Sequence, residues 1–109
     1  MGSISIAKIP TDTTWKANDT GASVSSIFKF KLNGVFVAEV STKEGAEITG
    51  LNTTQKHTIA IYADDKRVST IFLDFGTFGS NNLCLWYRTF YGIWNLQPLD
   101  ESSKCAHQK

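Results

Sequence analysis

Residues 26–40 read SIFKFKLNGVFVAEV, two apolar segments of alternating pattern on either side of an Asn-Gly pair. Asn33 and Gly34 accept the positive φ angles that a two-residue type I′ turn requires, because glycine has no Cβ and asparagine tolerates the left-handed region. The stretch therefore predicts a β-hairpin.

The register of this hairpin decides which side chains share a face. A two-residue turn places Leu32 opposite Val35 and Phe30 opposite Val37. The predicted apolar face then consists of Phe28, Phe30, Leu32, Val35 and Val37, and Lys29 and Lys31 face water.

The rest of the chain repeats the same period-two alternation between turn signals, and no stretch sustains helical spacing. Residues 11–23 read mainly as a loop. Residues 57–63 and 68–75 predict two strands, but their relative register stays open. A three-residue loop would place both of their aliphatic rows on one face, whereas a two- or four-residue loop would not.

These segments predict an all-β fold: a single antiparallel two-sheet β-sandwich of about eight short strands, with a small β-barrel as the alternative. The 109 residues suit one domain. We expect the β-sandwich domain to span residues 1–98 and residues 99–109 to form a polar, flexible C-terminal tail.

Composition excludes several classes of function. The formal net charge is +1, which is too small a field to gather nucleic acid or an anionic membrane, and no apolar run is long enough for a membrane span. The N-terminus shows no signal peptide, so we expect a cytoplasmic protein by default, or a secreted one if a leader was removed.

The chain has two cysteines, and two are too few to predict a disulfide framework. Cys84 is interpreted as a small buried hydrophobe within a strand, and Cys105 as a loose thiol in the tail. Together with His57 and His107 they predict no metal site and no cofactor.

Residues 47–63 read EITGLNTTQKHTIAIYA. This segment is similar to the part of fibronectin type III domains in which a leucine-centred turn enters a strand through a tyrosine corner. Leu51 matches the leucine, whereas Thr53 stands at the family's proline and His57 at its tyrosine. The resemblance covers 17 of the 109 residues and implies a shared turn structure, with no function attached.

Residues 83–96 read LCLWYRTFYGIWNL and hold two of the three tryptophans. We predict a last hairpin with its bend near residues 89–92. Loops of two or four residues give the same face assignment, because both preserve parity. One face then carries the core residues Leu83, Leu85, Tyr87, Trp94 and Leu96, and the other carries Cys84, Trp86, Arg88, Phe90, Ile93, Asn95 and Gln97.

The second of these faces combines a flat indole with a guanidinium and two amides. Aromatic rings stack on the apolar C–H patches of sugars, and planar donors and acceptors bind pairs of hydroxyl groups. Trp86, Arg88, Asn95 and Gln97 are therefore our candidate carbohydrate-binding residues. The alternative is that a second sheet, a partner subunit or residues 76–82 cover Trp86 and Phe90, which leaves Arg88 at the rim.

No set of residues spells out a general acid, a base or a nucleophile, so the sequence predicts a binding module and no enzyme. The leading hypothesis is lectin-like recognition of carbohydrate by the last hairpin. The alternative is a protein–protein interaction or assembly module, a homo-oligomer, that uses the same aromatic face and an exposed Phe36.

Overall fold

The structure is a computed structural model that describes residues 1–9, 15–17, 22–25, 27–63, 65–88, 93–99 and 105. For residues 15–17, 22–25 and 88 it describes the backbone alone. Ten strands and one short helix occur in these ranges: β1 (Gly2–Ile6), β2 (Trp15–Ala17), β3 (Ala22–Ser25), β4 (Ile27–Leu32), β5 (Val35–Ser41), β6 (Ala46–Leu51), β7 (Lys56–Ala63), β8 (Lys66–Asp74), α1 (Phe75–Phe78), β9 (Asn82–Arg88) and β10 (Ile93–Pro98).

Eight of these strands form two four-stranded sheets that pack together as a sandwich. The first sheet has the order β10-β9-β1-β6, and the second has the order β5-β4-β7-β8. The predicted two-sheet sandwich is confirmed, and the alternative of a closed barrel is wrong. Strand β2 lies inside residues 11–23, which the sequence assigned mainly to a loop, and it pairs with β3, which begins at the end of that stretch.

One strand pair departs from the predicted antiparallel pattern. Strand β1 runs parallel to β9, with Ile4 beside Leu83 and Ile6 beside Leu85. A parallel neighbour must be distant along the chain, so local turn signals cannot reveal it. The pair joins the N-terminal strand to the last hairpin and completes the first sheet.

The β4–β5 hairpin has the predicted turn, with φ of 51° at Asn33 and 86° at Gly34. Leu32 lies opposite Val35 as expected, but Phe30 lies opposite Ala38. The predicted pairing of Phe30 with Val37 is wrong because a β-bulge inserts Val37 as an extra residue.

The bulge also changes which side chains of β5 reach the core. Ala38 and Val40 are buried there, whereas Val35 and Val37 are exposed. Of the predicted apolar face, only the β4 residues Phe28, Phe30 and Leu32 therefore pack in the core. A single inserted residue moves every later side chain of a strand to the opposite face.

A second bulge resolves the register that the sequence left open. Ala63 pairs with Lys66, which leaves a two-residue connection, and an extra residue, Val68, follows in β8. The bulge restores the parity that the short loop would have reversed, so that Ile59 pairs with Ile71.

The core between the sheets contains an aromatic cluster around Trp94. Its ring centroid lies 5.3 Å from that of Phe28, 5.3 Å from that of Phe30 and 5.2 Å from that of Tyr87. Both phenylalanine contacts are edge-to-face, the arrangement that the ring quadrupoles favour. Burial in this cluster raises the pKa of the Tyr87 hydroxyl above its usual value.

The turn that resembles fibronectin type III domains contains a buried histidine. Nε2 of His57 donates to the carbonyl of Asn52 at 2.8 Å, and Nδ1 accepts from the side-chain amide of Asn33 at 3.0 Å. The bond to a carbonyl five residues upstream is equivalent to that of the hydroxyl in a tyrosine corner. The oxygen of Asn33 accepts from the Thr58 amide at 2.9 Å, so the β4–β5 turn is tied to β7.

The two cysteines form a disulfide, with a Cα–Cα distance of 6.0 Å. Cys84 is buried as predicted, but the interpretation of Cys105 as a loose thiol is wrong, because its sulfur is bonded and fully buried. The prediction of a flexible tail over residues 99–109 falls mostly outside the described residues. Cys105 itself lies against the first sheet, with its Sγ 3.4 Å from the Ser5 carbonyl oxygen.

Candidate functional site

The last hairpin carries the residues that the sequence selected for a site. Arg88 pairs with Ile93, so four residues separate the paired positions, and the predicted parity is confirmed. Trp94 lies in the core, and Trp86 lies on the opposite, outer face of the first sheet.

This outer face brings three of the four candidate residues together. Trp86 is the direct cross-strand partner of Asn95, and Gln97 is the partner of Cys84 on the same face. The side chains of Asn95 and Gln97 are half-buried, and the Asn95 amide donates to the Ile93 carbonyl at 3.3 Å. The position of the Arg88 side chain lies outside the described part of the structure.

The ring of Trp86 is covered. Only 9% of its surface is exposed, because Ala7, the Cys84–Cys105 disulfide and Leu99 pack around it. The sequence predicted a second sheet, a partner subunit or residues 76–82 as the cover, whereas the structure places Ala7, Leu99 and Cys105 there. A sugar can stack on this indole only if Leu99 and Cys105 move away.

The outer face of the second sheet carries a different set of aromatic and charged side chains, and several of them are exposed. Phe72 is 79% exposed and Phe36 is 51% exposed. Strand alternation and pairing place the following side chains on this face: Ile27, Lys29, Lys31, Phe36, Glu39, Tyr62, Arg67 and Phe72.

Two lysines of β4 lean over aromatic rings of the neighbouring strands. Nζ of Lys31 lies 5.0 Å from the ring centroid of Tyr62, and Nζ of Lys29 lies 5.9 Å from that of Phe36. Ammonium groups at these distances are attracted by the ring quadrupole. Together with Asp65, these four side chains line a shallow depression of about 190 Å³.

Exposed apolar side chains are concentrated on this sheet. Of the seven large hydrophobic side chains that are exposed in the described part of the chain, five belong to β4, β5 or β8: Ile27, Val35, Phe36, Val37 and Phe72. Three of these five, Ile27, Phe36 and Phe72, lie on the outer face of the sheet. Exposed apolar surface of this kind on a folded protein marks interaction sites. The outer face of the second sheet is therefore the strongest candidate contact surface.

Sequence reasoning identified only part of this surface. It predicted that Phe36 is exposed, and alternation set Phe72 apart from the row that contains Ile71 and Leu73. The undetermined β7–β8 register hid which face Phe72 occupies. The bulge at Val68 supplies the missing information. A stretch such as TIFLD, with a phenylalanine out of phase with the core, is the available signal.

Two further observations bear on function. Among the side chains that the structure describes, no three His, Cys, Asp or Glu residues are grouped closely enough to hold a metal ion. Within the same ranges, no helix has the length and hydrophobicity needed to cross a bilayer.

Comparison with protein-family models, with curated proteins and with solved structures finds no match to this chain. Function must therefore be inferred from the geometry of its own residues.

Proposed function

We propose that this chain is a non-enzymatic assembly module that associates with copies of itself through the outer face of the second sheet. The observation that carries the proposal is the exposure of Phe72 and Phe36, at 79% and 51%, on one face of one sheet. Burying two phenylalanines of this exposure against another protein removes apolar area from water, which is the main driving force for association.

The composition of the face also supports a protein partner. Protein interfaces are enriched in aromatic residues and arginine relative to the rest of the surface. The face supplies these residue types with Phe36, Tyr62, Phe72 and Arg67. Polar groups lie among them at Lys29 and Glu39. Self-association through this face requires no catalytic side chain.

The first prediction is that Phe72→Ser shifts the protein from dimer to monomer in sedimentation velocity. Phe72 lies on the outer face and is not part of the core, so the melting temperature should change little. Ile93→Ser is the matched control, because Ile93 is 53% exposed but belongs to β10 of the first sheet. Loss of the dimer in both variants, or in neither, would contradict the proposal.

Carbohydrate recognition by the last hairpin is the second candidate. It is favoured by one observation: Trp86 and Asn95 are cross-strand partners, with Gln97 next on the same face of the same hairpin. An indole with two amides beside it suits a sugar ring and its hydroxyl groups. Because Leu99 and the Cys84–Cys105 disulfide cover Trp86, we assign this activity to a form in which Cys105 has left the face.

The second prediction tests this candidate on a glycan array, with the protein applied both oxidised and reduced. Carbohydrate recognition predicts retention of the reduced form and its loss in an Asn95→Ala, Gln97→Ala double variant, whose half-buried side chains are not part of the core. Absence of retention in both redox forms would remove the candidate.

We also infer that the protein matures in an oxidising compartment. Disulfides persist in secreted and periplasmic proteins and are rare in the reducing cytosol. The Cys84–Cys105 bond thus favours an extracytoplasmic location over the cytoplasmic one expected from the N-terminus. Thiol alkylation of the protein in its source cells, followed by mass measurement, tests this inference; two alkylated cysteines would contradict it.

A further inference from the structure

The charges on the outer face of the second sheet have an order that bears on how two copies would meet. Across the four strands, one row of paired residues reads Glu39, Lys29, Tyr62 and Arg67. Its two ends carry opposite charges and lie on the two edge strands, β5 and β8.

Two identical sheets that stack face to face are related by a two-fold axis lying between them. An axis perpendicular to the strands would place each strand over its own copy. A row on that axis would then meet itself, with Glu39 against Glu39, Lys29 against Lys29 and Arg67 against Arg67. Like charges opposed in this way weaken an interface strongly.

An axis parallel to the strands gives the opposite result. It places β5 over the partner's β8 and β4 over the partner's β7. Glu39 then faces the partner's Arg67, and Lys29 faces the partner's Tyr62, each of them twice in the dimer. The first is an ion pair, and the second is a cation–π contact.

The area of the face limits the affinity that such a dimer can have. Four strands about 4.8 Å apart and six residues long at about 3.3 Å each give a projected area of about 400 Å² per copy. Side-chain relief enlarges the buried surface, but it stays at the low end of specific interfaces, where transient complexes lie. We expect a dissociation constant that is micromolar or weaker.

From this pattern we propose that the chain forms a two-fold face-to-face dimer with its axis parallel to the strands of the second sheet, so that Glu39 of each copy pairs with the partner's Arg67. The inference rests on the proposed function, because it specifies the geometry of the same contact.

A charge-reversal cycle tests the pairing. Glu39→Arg alone and Arg67→Glu alone should each weaken dimerisation at least tenfold. In either variant residues 39 and 67 carry the same charge, and they face each other at two places in the dimer. The double variant should return to within about threefold of the unmodified protein. Both side chains are exposed, and melting temperatures measured in parallel show whether each variant folds.

Rescue in the double variant cannot arise within one chain. Glu39 and Arg67 lie on opposite edges of the sheet, three strand spacings or about 14 Å apart. That distance exceeds the screening length of about 8 Å at physiological salt, so their direct interaction within a monomer is weak.

The outcomes separate this inference from the one on which it rests. If the unmodified protein is monomeric at every concentration, both fail. If it dimerises and Phe72→Ser abolishes the dimer, but the double variant is as weak as the singles, the self-association stands and the two-fold arrangement with the Glu39–Arg67 pair is wrong. Single variants that dimerise normally also overturn the arrangement.

Discussion

Replacing Trp94 by alanine is expected to lower the free energy of unfolding by about 3–5 kcal/mol, the range for truncating a large aromatic side chain in a packed core. Trp94 is 7% exposed and contacts the rings of Phe28, Phe30 and Tyr87. The loss combines the burial of the indole, the cavity left behind and the three ring contacts, each of which contributes about 0.5–1.5 kcal/mol. Urea unfolding followed by circular dichroism measures it.

Ile93→Ala is the matched control for this variant. Ile93 is the preceding residue on the opposite, outer face, and half of its surface is exposed. Its truncation should change the unfolding free energy by about 0.5 kcal/mol or less. A loss below about 1 kcal/mol in Trp94→Ala would show that the indole does not fill the space between the sheets.

Opening the Cys84–Cys105 disulfide should have the second largest effect. The bond closes a loop with a sequence separation of 21 residues. Loop-closure entropy then predicts that the bond stabilises the fold by about 3 kcal/mol. Reduction should also release Cys105 from its position beside Trp86. Water then reaches the indole, and the fluorescence of Trp86 should shift to longer wavelength.

Two further variants test whether these effects come from the Cys84–Cys105 disulfide. A Cys84→Ala, Cys105→Ala double variant should reproduce the lower unfolding midpoint and show no further response to reductant. Trp86→Phe should remove most of the fluorescence change, because Trp94 stays within the core. Equal unfolding midpoints for oxidised and reduced protein would contradict the role given to the disulfide.

Local rules predicted the parts of the fold that depend on a few neighbouring residues. The Asn33-Gly34 turn and the parity of the last hairpin follow from turn chemistry and alternation, and both are confirmed. The two bulges could not be predicted in the same way. An extra residue such as Val37 or Val68 leaves the composition of a strand unchanged and alters only its pairing.

The contacts that the sequence missed join distant parts of the chain. The parallel pairing of β1 with β9 and the bond from Cys105 to Cys84 both depend on the tertiary arrangement. The candidate site was affected for the same reason. Trp86, Asn95 and Gln97 share the predicted face, but Trp86 is covered by Leu99 and Cys105, two residues of the stretch that the sequence predicts to be a flexible tail.

Sedimentation equilibrium of the unmodified protein, run from about 1 µM to about 1 mM, tests self-association most directly. We predict a mass that approaches twice the 12.1 kDa of one chain at the upper concentrations and falls to that of one chain on dilution. A mass of 12.1 kDa throughout the series would contradict the assembly function.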